Sequence, residues 1–95
     1  MAPIRPLTRR YLLVKGRVQG VGFRWFAWEL AESLGVSGWV RNRPDESVEM
    51  EAEGTPEALD EFVRRLKSDH PEARVDEIVT VPRPPKGVRG FEIKR

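Results

Sequence analysis

The chain has 95 residues, 39% hydrophobic and 34% charged, enough for one modest core but not for two. Its 17 basic and 15 acidic residues leave a net charge of +2, too small a surplus to indicate nucleic-acid binding. Cysteine is absent, which excludes disulfides, zinc–thiolate centres and thiol catalysis, and no apolar run approaches the roughly 18 residues a transmembrane helix needs.

The N-terminus, Met1-Ala2-Pro3-Ile4-Arg5-Pro6, carries two prolines and no hydrophobic signal core. Residues 1–8 are expected to be a mobile tail and residues 9–95 a single domain in a cytoplasmic protein. Arg9 to Lys15 has the alternation of a strand, with Leu12 and Val14 facing one way and Tyr11 and Leu13 the other. Phe23 to Leu34 predicts a helix: Phe23, Phe26, Ala27, Leu30, Ala31 and Leu34 form an apolar stripe, and Gly35 is a natural stop. Val36 to Arg43 predicts a second strand in which Val36, Gly38, Val40 and Asn42 share a face and Ser37, Trp39, Arg41 and Arg43 take the other.

Pro44-Asp45-Glu46 is a turn. Ser47 to Glu53 alternates cleanly, placing Val48, Met50 and Ala52 inward and Glu49, Glu51 and Glu53 outward on an expected solvated face. Thr55-Pro56-Glu57 opens a second helix with an N-cap threonine and a proline at the first helical position. Its stripe is Ala58, Leu59, Phe62, Val63 and Leu66, and it ends between Ser68 and Pro71. Arg74 to Val81 is a fourth strand, Pro82 to Gly87 a rigid polar connection, and Phe91 and Ile93 mark a short last strand. The order βαββαβ with a short extra C-terminal strand predicts an α+β ferredoxin-like sandwich. Its antiparallel-rich sheet carries two helices on one face.

Between the first strand and the first helix lies Gly16-Arg17-Val18-Gln19-Gly20-Val21-Gly22-Phe23-Arg24, with three glycines in seven residues. A glycine loop that feeds a helix start leaves backbone N–H groups free to converge on an anion. Arg24 adds a fixed positive charge. A cation there opposes the helix dipole by roughly 0.3–1 kcal/mol, a conflict that a bound anion removes. The loop lacks the Gly-Lys-Ser/Thr ending of a nucleotide-binding P-loop, and Trp25 stands where a dinucleotide fingerprint needs its third glycine. The alternative is a glycine-rich turn with no ligand.

This stretch resembles the first signature of the acylphosphatase family. Gly38-Trp39-Val40-Arg41-Asn42, followed by Val48-Glu49 and Gly54, resembles the second, and the resemblance runs from about Arg10 to Ile93. One departure is Glu46, where the family usually has glycine. A glutamate at positive φ is strained by about 1 kcal/mol, so a different turn, helped by Pro44, is expected. The resemblance implies hydrolysis of an acyl phosphate to a carboxylate and inorganic phosphate. The backbone of Gln19, Gly20, Val21, Gly22, Phe23 and Arg24 would bind the phosphoryl group, Arg24 would clamp it, and Asn42 would hold the attacking water. No metal or cofactor is implied. Inorganic phosphate is the product and an expected competitive inhibitor. A monomer is the default, with neither nucleic acid nor membrane as a partner.

Other residues admit two roles. Asn42 either serves this site or caps a turn. Trp25 and Trp28 either flank the acyl group or pack against the N-terminal tail, packing being preferred, and Trp39 is expected to pack. His70 is expected to be solvated and without a catalytic role. Arg5, Arg9 and Arg10 form a tail feature that either attracts anionic substrates or does nothing. Two other classes of function compete: an RNA-binding module on the same sandwich, disfavoured by the outward glutamates, and a phosphate or acyl-phosphate sensor without turnover.

Overall fold

The computed structural model describes residues 7–95. Its elements run β1 (Thr8–Arg17), α1 (Phe23–Leu34), β2 (Ser37–Asn42), β3 (Val48–Gly54), α2 (Pro56–Ser68), β4 (Arg74–Arg83) and β5 (Phe91–Lys94). The strands form one sheet in the order β4-β1-β3-β2-β5. β1 pairs antiparallel with β3 and β4, and β3 antiparallel with β2, while β5 runs parallel to β2. This is the expected ferredoxin-like α+β sandwich with its extra strand. Residues 1–6 of the expected tail lie outside the described residues, and Thr8 already belongs to β1, opposite Gly54.

The apolar periodicities meet on one side of the sheet. Leu12 and Val14 of β1, Val40 of β2, and Val48, Met50 and Ala52 of β3 are fully buried there. They pack against Phe23, Ala27, Leu30 and Ala31 of α1 and Leu59, Phe62 and Leu66 of α2, while Phe26, Leu34, Ala58 and Val63 flank this core partly buried. The Thr55 hydroxyl accepts the Ala58 N–H, with Pro56 at the helix start. α1 stops at Gly35, in the left-handed region at φ 69°. β4 extends through Pro82, which was expected in the connection; an edge strand tolerates a residue without an N–H.

The opposite face departs from the expected solvated one. Glu53 is 0% exposed, Glu49 8% and Arg9 3%. Strand order supplies the reason. β3 lies between β1 and β2, so long side chains of both neighbours reach over its glutamates. Arg9 bonds Glu51 at 2.5 Å and Glu53 at 3.1 Å. Glu49 receives the Tyr11 hydroxyl at 2.7 Å and the Arg41 guanidinium. The chain after β4 then folds over Glu53, whose carboxylate accepts the N–H groups of Lys86 and Gly87 at 2.7 and 2.8 Å.

Arg9 is thus a neutralised member of the sheet and no tail feature, and Arg10 pairs with Asp60 of α2 at 3.0 Å. Arg5 lies outside the described residues. Trp39 packs beneath two cations, with the Lys94 ammonium 4.9 Å and the Arg41 guanidinium 5.3 Å from its ring centre.

Two local expectations also change. His70 packs its ring against Phe23 and Phe26, and its Nδ1 accepts the N–H groups of Glu72 and Ala73, so it closes the chain after α2 instead of standing in solvent. Glu46 does adopt positive φ, at 72°, although a different turn was expected. The Glu46 N–H donates to the Arg43 carbonyl and the Arg43 N–H to the Ser47 carbonyl, the pattern of a type I turn followed by a left-handed residue. Pro44 occupies the first central position it favours, and Asp45 holds Ser47 through both its N–H and its hydroxyl. These contacts over-determine the turn and keep Glu46 strained.

Relief of that strain should be measurable. Glu46→Gly is expected to stabilise the protein by about 0.5–1 kcal/mol, a rise of a few degrees in thermal melting; an unchanged or lower Tm would contradict the strain. The covered face predicts acid sensitivity. Burial pushes Glu49 and Glu53 up, but the hydrogen bonds each receives outweigh it and hold both below their ordinary value of 4.5. In acid the unfolded chain therefore binds more protons than the folded one. The stability these carboxylates contribute is present above that ordinary value and is lost as pH falls through the lower, folded-state values. Thermal melts across this range should show the loss, and Glu53→Gln should be less stable near neutrality with a shallower acid slope.

Candidate active site

β1 ends at Arg17, and the chain crosses to α1 through residues 18–22. Val18 anchors the crossing in the core at 1% exposure, and Val21 packs partly buried against that core. Gly20 and Gly22 both take the left-handed region, at φ 76° and 74°. Here glycine serves a purpose: it turns the backbone outward without the Cβ penalty of any other residue. Gly22 is the N-cap of α1, and no side chain caps the helix; its first turn holds no acidic residue. The first helical bond, from the Phe26 N–H to the Gly22 carbonyl, leaves the N–H groups of Phe23, Arg24 and Trp25 without a helical acceptor. A helix start of this kind favours an anion in both hydrogen bonding and dipole.

Arg24 stands in the first turn. Its Nη1 donates to the Lys94 carbonyl at the end of β5, 3.0 Å away, and among the described residues it has no carboxylate partner. The last strand thus holds the guanidinium while leaving its charge uncompensated. Asn42 is the last residue of β2, opposite Val48. It is half-buried and is not what holds the turn: Asp45 and Gln19 supply the side-chain bonds there.

A cavity of about 300 Å³ brings these groups together. Gln19, Gly20, Gly22, Phe23, Arg24 and Asn42 line it, with Val18, Trp25 and Ile93 completing the wall. Of the seven residues assigned to the site from the sequence, only Val21 is absent from the lining, and of the two tryptophans weighed as flanking the acyl group Trp25 lines it and Trp28 does not. No carboxylate lines the cavity, and among the described residues no cluster of His, Asp or Glu is arranged to hold a metal ion. The arrangement can receive one compact anion between backbone N–H donors and a guanidinium, beside a carboxamide.

Three contributors escaped the sequence reading. The Gln19 side chain, considered there only for its backbone, donates Nε2 to the carbonyls of both Arg43 and Ser47 at 2.8 Å, tying the loop to the β2–β3 turn. A long amide set among glycines was the available signal. Ile93 and the Lys94 carbonyl come from the last strand, and no local pattern pointed to their place beside the loop. A second cavity, about 550 Å³, lies on the other side of Val18 and Gln19 and is lined by Arg17, Arg74, Asp45 and Asp76 among others.

Known proteins share this plan. The acylphosphatase family profile matches residues 10–93. An acylphosphatase of Trichormus variabilis is 44% identical over 93 residues, which cover 98% of this chain and 92% of its own. One from Rubrobacter xylanophilus is 47% identical over 95 residues, covering 99% and 86%. The crystal structure of acylphosphatase from Bacillus subtilis superposes with a TM-score of 0.89 at 40% identity, over 95% of this chain and 100% of that one. With the profile spanning nearly every described element and full-length relatives above 40% identity, the chain belongs to the acylphosphatase family and is a hydrolase.

Proposed function

We propose that the 300 Å³ cavity is the hydrolytic site and that this chain cleaves acyl phosphates there, with the loop 19–24 as phosphate cradle, Arg24 as clamp and Asn42 as holder of the attacking water. One observation carries the proposal: an uncapped helix start, an uncompensated guanidinium and an amide free of turn duty face the same small space.

The chemistry requires little more. The phosphoryl oxygens accept the N–H groups of the loop and the first turn of α1, and the Arg24 guanidinium balances the charge that spreads over them in a loose, metaphosphate-like transition state. Water attacks phosphorus in line with the leaving group. The new P–O bond forms as the bond from phosphorus to the acyl oxygen breaks, and the electron pair leaves with the carboxylate. That leaving group is already stable as an anion near neutral pH, so no general acid is needed. The Asn42 amide offers one acceptor and two donors, enough to orient water. The water proton passes to a phosphate oxygen, giving carboxylate and inorganic phosphate. Gln19 keeps the cradle and Asn42 in register through its bonds to the turn that follows Asn42.

Steady-state hydrolysis of an acyl phosphate tests this. Arg24→Gln should lose roughly 10³–10⁵ in kcat/KM, the scale of a charge clamp in phosphoryl transfer. Asn42→Ala should lose about 10²-fold or more in kcat through misplaced water, while competitive inhibition by inorganic phosphate persists. Normal turnover by Arg24→Gln, or no hydrolysis by the unaltered protein, would refute the assignment.

A further inference from the structure

Three large hydrophobic residues are exposed among the described residues: Leu7, Trp25 and Val88. Of these, Trp25 lines the cavity that holds Arg24 and Asn42. Its exposure of 58% shows that the ring does no work in the core. An exposed indole wastes the large apolar area that normally makes tryptophan worth burying. Its position is nevertheless fixed. Trp28, one turn along α1, stacks on it with ring centres 5.0 Å apart and planes 27° from parallel. The stack occupies one face of the Trp25 ring and braces it against α1. Val18, Phe23 and Ile93 add further apolar residues to the same cavity, and no carboxylate lines it to attract a cationic group.

From this geometry we infer that Trp25, braced by Trp28, is a binding subsite for the acyl portion of the substrate and selects flat, apolar acyl groups, aromatic ones above all. The inference rests on the proposed location of the hydrolytic site. The cavity volume of about 300 Å³ is at the lower end of ligand pockets, yet larger than a phosphoryl group alone requires. A substrate whose phosphoryl group sits at the start of α1 carries its acyl group only two bonds away. Trp25 lies in that same first turn, next to Arg24. The polar loop and Arg24 read the phosphoryl end, and the indole offers a π-face to the remainder. A rigid aromatic already stacked on its neighbour loses little conformational freedom when a ligand ring joins it.

The test compares kcat/KM for benzoyl phosphate and acetyl phosphate. The unaltered protein should favour benzoyl phosphate, and Trp25→Ala should lower that preference about fivefold to tenfold, the range of one aromatic stacking contact. Trp25→Phe should restore most of it, which a purely structural role would not require. Arg24→Gln in the same assay separates the two levels. If it abolishes both activities while Trp25→Ala changes both substrates equally, the subsite is wrong and the hydrolytic site stands. If Arg24→Gln turns over normally, the hydrolytic site itself is misplaced. Should Trp25→Ala fail to fold, the unaltered protein still decides the matter. There, 2-phenylethylphosphonate, which matches the spacing of benzoyl phosphate, should inhibit about fivefold more strongly than propylphosphonate, and equal inhibition overturns the inference.

Discussion

One side-chain amide holds the two halves of the site together. The Nε2 of Gln19 donates to the Arg43 and Ser47 carbonyls, so the glycine loop cannot move independently of the turn that follows Asn42. The loop sits between β1 and α1, and Asn42 ends β2; in sequence they are separated by the whole of α1. The sheet brings them near each other because β3 pairs with both β1 and β2. Val48, at the start of β3, faces Val14 on one side and Asn42 on the other, so the end of β1 and the end of β2 emerge at the same end of the sheet. Strand order provides the approximate proximity, and Gln19 fixes it within hydrogen-bond tolerance.

The two sides of the sheet handle charge differently. On the face away from the helices, Arg9, Glu51, Glu53, Glu49 and Arg41 neutralise one another. A buried pair of this kind gives up much of its Coulomb gain to desolvation, and removal of one partner would strand the other. The backbone donors of Lys86 and Gly87 complete the coordination of Glu53, so the chain leading into β5 is tied to the same network. β5 in turn supplies the carbonyl that holds Arg24. Arg9 and Arg41 are both paired within this layer. Arg24 remains without a carboxylate partner among the described residues, at the one helix start that has no cap of its own.

Most of the fold was legible because it rests on local periodicity. The apolar stripes of α1 and α2 and the Thr55–Pro56 start appear where the sequence pattern puts them, as do the buried Val48, Met50 and Ala52 of β3. Errors arose where a residue's environment depends on strands distant in the chain. Parity correctly put Glu49, Glu51 and Glu53 on the face away from the helices, but it carries no information about which strands flank β3 or what folds across it. Arg9 looked like part of a charged tail for the same reason: its partners lie more than 40 positions away. Glu46 illustrates a different limit. Propensity argues against a glutamate at φ 72°, yet Pro44, Asp45 and the paired strands impose the turn and tertiary context prevails. In the candidate site, the loop and Asn42 stood out by residue type and spacing. The Gln19 side chain, Ile93 and the Lys94 carbonyl did not, because only the folded sheet brings the last strand alongside the loop.

The division of labour within the cavity follows from what each wall is made of. A backbone cradle with one guanidinium recognises tetrahedral oxyanions and carries no group that discriminates among the substituents they bear. Discrimination among acyl phosphates has to come from side chains beyond the cradle, and in this cavity the apolar ones there are Val18, Trp25 and Ile93, of which Trp25 is the exposed one. Such separation also suits the proposed chemistry. A carboxylate leaving group needs no proton donor, so nothing polar has to stand where the acyl group departs, and that position is free to be apolar. An apolar wall there also lowers the local dielectric around the phosphoryl group and strengthens its attraction to Arg24. Selectivity for the acyl group and charge stabilisation at phosphorus would then be served by the same side chain placement, with α1 providing both: its uncapped first turn for the anion and the stacked Trp25–Trp28 pair for what the anion carries.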